Sequence, residues 1–331
     1  MKPHHPPHPA LRLPPLSAFR LQAFRLFRHS LPPSGLKAFR LFPSLRHSAF
    51  LILCSTVALS ALSAQPKTIQ TAVREYDFPG RYGDQAAQGM AIYGEVAFLF
   101  NNEGHCRTYN LKTKKKLAEF DLACAATTTH ANSASFGVEQ PAGAYCPALY
   151  ISECKGAGHQ RCFVESITPK GARLIQTLEV KTGGIEERSN NWMVDRENKF
   201  IYSIATFRDN SKLYAQLTKW PLPPLGKKKV VFQKSDILDQ FSVPFPNIYV
   251  QDTCIRGDRL YHAFGNRAAA DGTREQKSRE IHVINLKTKK TEKIIDINDS
   301  CPLEPEGLAF YGDTLYLWCN GAGGLWRIPG V

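Results

Sequence analysis

Five polar residues stand at matching places along the chain: Gln88, Asn132, Asn190, Gln251 and Glu306. Each opens a short apolar run, and successive members are 44, 58, 61 and 55 residues apart. Amides and carboxylates that recur in this way could converge on one point and bind a polar ligand there. His130, Arg188 and Glu304 lie two residues before three of them, and Asn191 and Asp252 directly follow two. A hard divalent cation such as calcium needs several oxygen ligands, at least one or two of them carboxylates. Glu306, Asn132, Asn190 and Asp252 would supply that set. His130 titrates near neutrality and could act as an acid or base. The plainer alternative is that these groups satisfy local backbone and hold ordered water. The sequence contains no GxSxG, HExxH, phosphate-binding glycine loop or EF-hand loop, so no familiar catalytic motif chooses among these chemistries.

The elements that must position the five residues are strands. From Thr68 onward, apolar runs of strand length are punctuated at short intervals by Gly, Asn, Asp and Pro. The runs come in similar groups. QGMAIYGEVAFLF from Gln88 matches EGLAFYGDTLYLW from Glu306, and QDTCIRGDRLYHAF from Gln251 and NNWMVDRENKFIYSI from Asn190 follow the same plan. A looser copy begins with NSASF at Asn132 and continues, after EQPAGAYCP, in ALYIS. The second half of the unit repeats as well. CRTYNLKTKKKLAEFDL from Cys106 matches IHVINLKTKKTEKIIDI from Ile281, sharing a polar NLKTKK hairpin. CFVESITPKGARLIQTLEV and AQLTKWPLPPLGKKKVVF take that role in the second and third units.

Four-strand units at this period predict an all-β fold, a β-propeller of four-stranded antiparallel blades spanning residues 68–331. Five blades account for the chain; six would require splitting a long third or fourth unit. The last unit ends one strand short at Val331, and TIQTAVREYDF is a spare strand near the other end. Pairing the two would close the ring and remove exposed edges. The five polar residues would then begin the innermost strands, at one mouth of the central channel. The lysine runs at 114–116 and 227–229 are expected in solvated hairpin turns rather than on a polyanion.

On HANSASFG at His130, EPEGLAF at Glu304 and the SAQ that ends the leader, the chain resembles secreted β-propeller proteins of the Bacteroidetes. EGLAFYGDTLYLW is more distantly similar to the blade openings of gluconolactonase and strictosidine-synthase-like propellers. That likeness implies a channel metal held by Glu306, Asn132 and Asn190. Gln88 and Gln251 depart from the acidic pattern, and those enzymes have six blades.

The formal charge of +13 comes largely from the beginning of the chain. Eight of the 42 Lys and Arg lie in Met1–Ala64 with no Asp or Glu, leaving 34 against 29, a net +5. That balance gives no ground for a nucleic-acid partner. Residues 1–48 are a repetitive Pro-, His- and Arg-rich leader, expected to be disordered or to precede the true start of translation. Residues 49–64 contain AFLILCSTVALSAL, an apolar run of signal-peptide length followed by small residues, with cleavage expected near Ala64–Gln65. A periplasmic or secreted protein without a membrane span follows. Leu53 before Cys54 argues against a lipid anchor at that cysteine. The eight later cysteines permit disulfides after export, and Cys154 with Cys162 is the favoured pair. Zinc is poorly served, because there is no CxxC and the five later His are scattered.

The expected function is binding of a small polar or carbohydrate-like ligand, or of a partner, at the channel mouth. The alternatives are a metal-dependent hydrolase or lactonase and a protein-binding scaffold on the cell envelope.

Overall fold

The computed structural model describes residues 66–77, 87–126, 130–154, 160–245, 249–266, 272, 275–320 and 323–331. The leader, the apolar segment and Cys54 lie outside the described residues. Two short strands come first, β1 (Lys67–Ile69) and β2 (Val73–Tyr76). Blade 1 is β3 (Ala87–Tyr93), β4 (Val96–Asn101), β5 (His105–Asn110) and β6 (Lys115–Asp121). Blade 2 is β7 (Ala131–Phe136), β8 (Leu149–Glu153), β9 (Cys162–Thr168) and β10 (Gly171–Val180). Blade 3 contains β11 (Asn191–Asp195), β12 (Phe200–Asp209) and β13 (Lys212–Pro221); β14 (Lys229–Phe232) intervenes before its outer strand β15 (Asp239–Phe245). Blade 4 is β16 (Val250–Arg256), β17 (Arg259–Asn266), β18 (Lys277–Asn285) and β19 (Lys290–Asp296). Blade 5 is β20 (Pro305–Tyr311), β21 (Thr314–Cys319) and β22 (Gly324–Pro329).

The spare N-terminal strand completes the last blade. β2 pairs antiparallel with β22, so the chain is a five-bladed β-propeller closed by its N-terminal segment. β1 adds a second tie, running parallel to β19 of blade 4. An ionic clamp fixes the seam: Glu75 on β2 meets Arg327 of blade 5 and Lys114 of blade 1, each at 2.9 Å.

Turn chemistry explains the repeated hairpins. In NLKTKK, the Asn110 carboxamide oxygen accepts from the backbone of Lys112 and Thr113, at 3.0 and 2.7 Å. Asn285 does the same for Lys287 and Thr288, both at 2.9 Å. The chain then passes through a left-handed residue, Lys114 in one copy and Lys289 in the other. An Asn side chain that mimics a backbone turn makes this geometry local. Gly94, Gly257 and Gly312 supply the positive φ of the inner hairpins.

Five apolar clusters fill the five blade-to-blade interfaces. Strand alternation splits β4 between two of them. Phe98 and Phe100 face blade 2, while Ala97 and Leu99 face blade 5. A strand buried on both faces reads as a continuous apolar run, which is why VAFLF does not alternate.

Two expectations are corrected here. KKKVVF does not supply the outer strand of the third blade. β14 crosses to blade 2 and pairs parallel with β10, and β15 takes the outer place in blade 3. Lys227–Lys229 consequently lie in that crossing segment rather than in a hairpin. Cys154 and Cys162, like the other six described cysteines, are free thiols, and these two do not share an environment. Cys162 sits in the apolar layer between blades 2 and 3, whereas Cys154 bonds to the Asn190 side chain near Glu306. They belong to different environments on either side of a strand end.

Candidate functional site: the polar mouth of the channel

Each of the five recurring residues lies at the start of an innermost strand, Asn190 immediately before β11 and the other four inside β3, β7, β16 and β20. A backbone irregularity marks the place in four blades. The ladder between the first and second strands skips between Ala87 and Met90, Ala131 and Ala134, Val250 and Thr253, and Pro305 and Gly307. Bulges of this kind free a residue from the pleat and re-aim side chains. Here they let consecutive residues, such as Gln251 and Asp252, both reach neighbouring blades.

The result is a chain of hydrogen bonds from blade to blade. Asn132 donates to the Asn191 carboxamide oxygen at 2.7 Å and to the Asn190 carbonyl at 3.3 Å. Asn191 donates to the Gln251 carbonyl at 2.6 Å. The Gln251 amide donates to Glu304 Oε1 at 3.0 Å and to the Gly265 carbonyl at 2.9 Å. Asn320 then donates to Glu304 Oε2 at 3.1 Å and to Glu306 Oε1 at 3.3 Å. The Asn190 amide N–H donates to the Cys154 sulfur, which lies close enough to Glu306 to feel its charge; burial and that carboxylate raise the thiol above its usual range, against the Asn190 bond. Two glycines allow the inner strands to come this close. A Cβ on Gly89 would run into the Asn132 carbonyl and the Phe100 ring, and one on Gly307 would press on Met90 and Trp318.

Asp252 lies beneath this layer. It is fully buried, and its two oxygens accept from the backbone N–H of Thr253 at 2.6 Å and of Leu308 in blade 5 at 2.7 Å. The N–H of Met90 in blade 1 also bonds to it. Burial pushes its carboxyl well above the ordinary range, opposed by these three bonds. Asp252 is thus a latch across three blades. Ser133 and Ser152 do similar work between blades 2 and 3, where the Trp192 N–H donates to Ser152 Oγ at 2.7 Å.

Among the five recurring residues, two buried side-chain oxygens have no hydrogen-bond partner among the described residues, Gln88 Oε1 and Asn190 Oδ1. Gln88 is 4% exposed. His130 is half-buried before β7, and burial lowers its pKa, favouring neutral imidazole. Its carbonyl accepts from the Cys154 N–H at 3.0 Å. Arg188 is the exception. It ends the 3-10 turn Ile185–Arg188 and is exposed, and among the described residues it makes no side-chain bond to the ring.

Asp252 is a poor ligand for the cation that the lactonase likeness implies. Among the described residues no three His, Cys, Asp or Glu side chains are grouped to hold a metal. Asp252 spends its oxygens on backbone donors, and Asn320 already bridges Glu304 and Glu306.

Sequence reasoning missed Asn320. A signal existed, because β4 and β17 end in Asn101 and Asn266, and Asn320 directly follows β21. Asn101 Oδ1 accepts from Glu103 and His105, both at 3.0 Å, and Asn266 Oδ1 accepts from Lys277 at 2.6 Å. The first two cap loops, whereas the third holds the acidic pair.

Two clefts lie elsewhere. The larger, about 850 Å³, runs between blades 3 and 4 beside Arg208, Lys212, Phe245, His282 and Lys290 and includes none of the five recurring residues. The smaller, about 400 Å³, is the opposite mouth of the channel, where the ends of all five inner strands meet around Ala91, Phe136, Val194, Arg256 and Phe310.

No family model matches the chain, and no curated protein matches it in sequence. Among solved structures, the glutaminyl cyclase of Myxococcus xanthus aligns over 80% of this chain and 97% of its own, at 12% identity and a TM-score of 0.45.

Proposed function

We propose that this propeller binds a small, hydroxyl- or amine-bearing ligand at the mouth of its channel where the inner strands begin. The observation that carries this reading is the pair of buried, unpartnered acceptors, Gln88 Oε1 on β3 and Asn190 Oδ1 just before β11. A buried acceptor without a donor costs free energy, about 1–3 kcal/mol. A ligand that brings donors would recover it. Glu304 and Glu306 give the same mouth an acidic side, which favours neutral or cationic ligands over anions. Neutral sugars and amino sugars fit that requirement, and uronic acids do not.

The test compares glucose, glucosamine and glucuronate as thermal-shift and calorimetric probes on the wild type, Gln88→Leu and Asn190→Ala. Binding to the native state alone raises the melting temperature as ligand concentration rises. The expected order is glucosamine or glucose over glucuronate, with the response weakened in both variants. Equal responses in wild type and variants would remove the mouth as the site, and a preference for glucuronate would contradict the acidic-side argument.

A further inference from the structure

Cys301 and Cys319 are both fully buried, and their sulfurs lie 3.6 Å apart. We propose that this pair forms a disulfide when the protein folds in the presence of a disulfide oxidant. It replaces the Cys154–Cys162 pairing that loop position alone suggests. A disulfide needs about 2.05 Å between sulfurs, so the bond requires the two sulfurs to close the rest of this contact. The two thiols are 18 residues apart and come from different structures, the link before β20 and the end of β21.

The position gives the bond a consequence. Residues 297–303 form the strap that carries the chain from blade 4 into blade 5, and the same strap grips the closing N-terminal segment. Ser300 Oγ accepts from the Ala72 N–H at 2.9 Å and donates to the Gln70 carbonyl at 3.1 Å. Arg279 reaches across to the Cys301 carbonyl at 2.6 Å. Closure otherwise depends on β1 and β2, of three and four residues. A Cys301–Cys319 bond fastens the strap to the second strand of blade 5 and so secures the seam of the ring. It also frames the acidic side of the mouth, since Glu304 follows Cys301 by three residues and Asn320 follows Cys319 directly.

The chemistry balances by thiol–disulfide exchange. One cysteine thiolate attacks a disulfide of oxidised glutathione or of a dithiol oxidoreductase, releasing one thiol of the oxidant. The second cysteine displaces the other. Two protons and two electrons leave the protein, and the oxidant departs as two thiols. Because both sulfurs are buried in the native fold, the exchange belongs to folding, before the strap seats against blade 5.

The test is to refold the protein in a reduced and oxidised glutathione buffer, unfold it with iodoacetamide present, and map its peptides without reduction. The expected result is a Cys301–Cys319 linked pair. Reduction should lower the melting temperature of the wild type by roughly 6–12 °C, as a short-loop cross-link in a domain of this size implies. The Cys301→Ser/Cys319→Ser variant should show no such shift, and Cys154→Ser should keep it. Complete alkylation of Cys301 and Cys319 after oxidative refolding, or a link from either to a third cysteine, would overturn the proposal. If the double variant does not fold, the wild-type peptide map alone decides between these outcomes.

Discussion

Replacing Asp252 with alanine tests whether the ring is latched through its channel layer. The side chain is fully buried and accepts backbone N–H groups from Thr253, Leu308 and Met90. Truncation leaves at least two of them, Thr253 and Leu308, buried without an acceptor. Each orphaned donor costs about 1–3 kcal/mol, and the removed carboxyl is not replaced by packing. A loss of about 3–5 kcal/mol is expected. For a domain of this size that corresponds to a fall in melting temperature of roughly 6–20 °C. Asp252→Asn keeps one acceptor and turns an NH₂ toward the other donor, so its loss should be about half as large. The assay is thermal and urea unfolding followed by circular dichroism, with and without calcium. A melting temperature for Asp252→Ala within about 2 °C of wild type would refute the latch. So would calcium stabilising the wild type but not the variant, because the carboxylate would then be a metal ligand. Burial also sets a sign. The folded carboxyl holds its proton more tightly than the unfolded one, so this group's contribution falls as pH rises above its ordinary value of 3.8. The difference between wild type and Asp252→Asn should therefore shrink from acid toward neutral pH.

Three further outcomes follow from the same geometry. Burial raises the Glu75 carboxyl, but Lys114 and Arg327 outweigh it and hold the group below its usual 4.5. Its stabilisation is present above that value and lost as pH falls through the lower folded pKa, so Glu75→Gln should cost about 1 kcal/mol at neutral pH and the gap in urea midpoints should close in acid. A Gly89→Ala variant should lose several kcal/mol or fail to fold, since its methyl meets the Asn132 carbonyl; a wild-type melting curve would show that the inner strands are not packed this closely. Deleting residues 66–76 uncovers the edge of β22 and should give a broad melt and self-association by light scattering, and a sharp monomeric transition would mean that the closing strand is dispensable.

The fold was legible in the sequence because its grammar is local. NLKTKK turns through the side chain of its own Asn, and the tight inner hairpins need only a residue that accepts positive φ, such as Gly94 or Gly312. Repetition multiplied those local signals into a blade count, and the missing last strand pointed to closure by the N-terminal one. The places of Gln88, Asn132, Asn190, Gln251 and Glu306 followed from the same repeat.

Tertiary structure alone decided what those residues touch. Asp252 simply follows Gln251 in the sequence, and it is a bulge together with blades 1 and 5 that turns it into a latch. Val230 and Val231 read as an outer strand of their own unit, yet the edge of β10 captures them. Cys154 and Cys162 are near in sequence and apart in environment, while Cys301 and Cys319 meet because a strap crosses the end of β21. Each of these depends on how one blade packs against another. Backbone propensity carries no record of that, and only the packed ring supplies it.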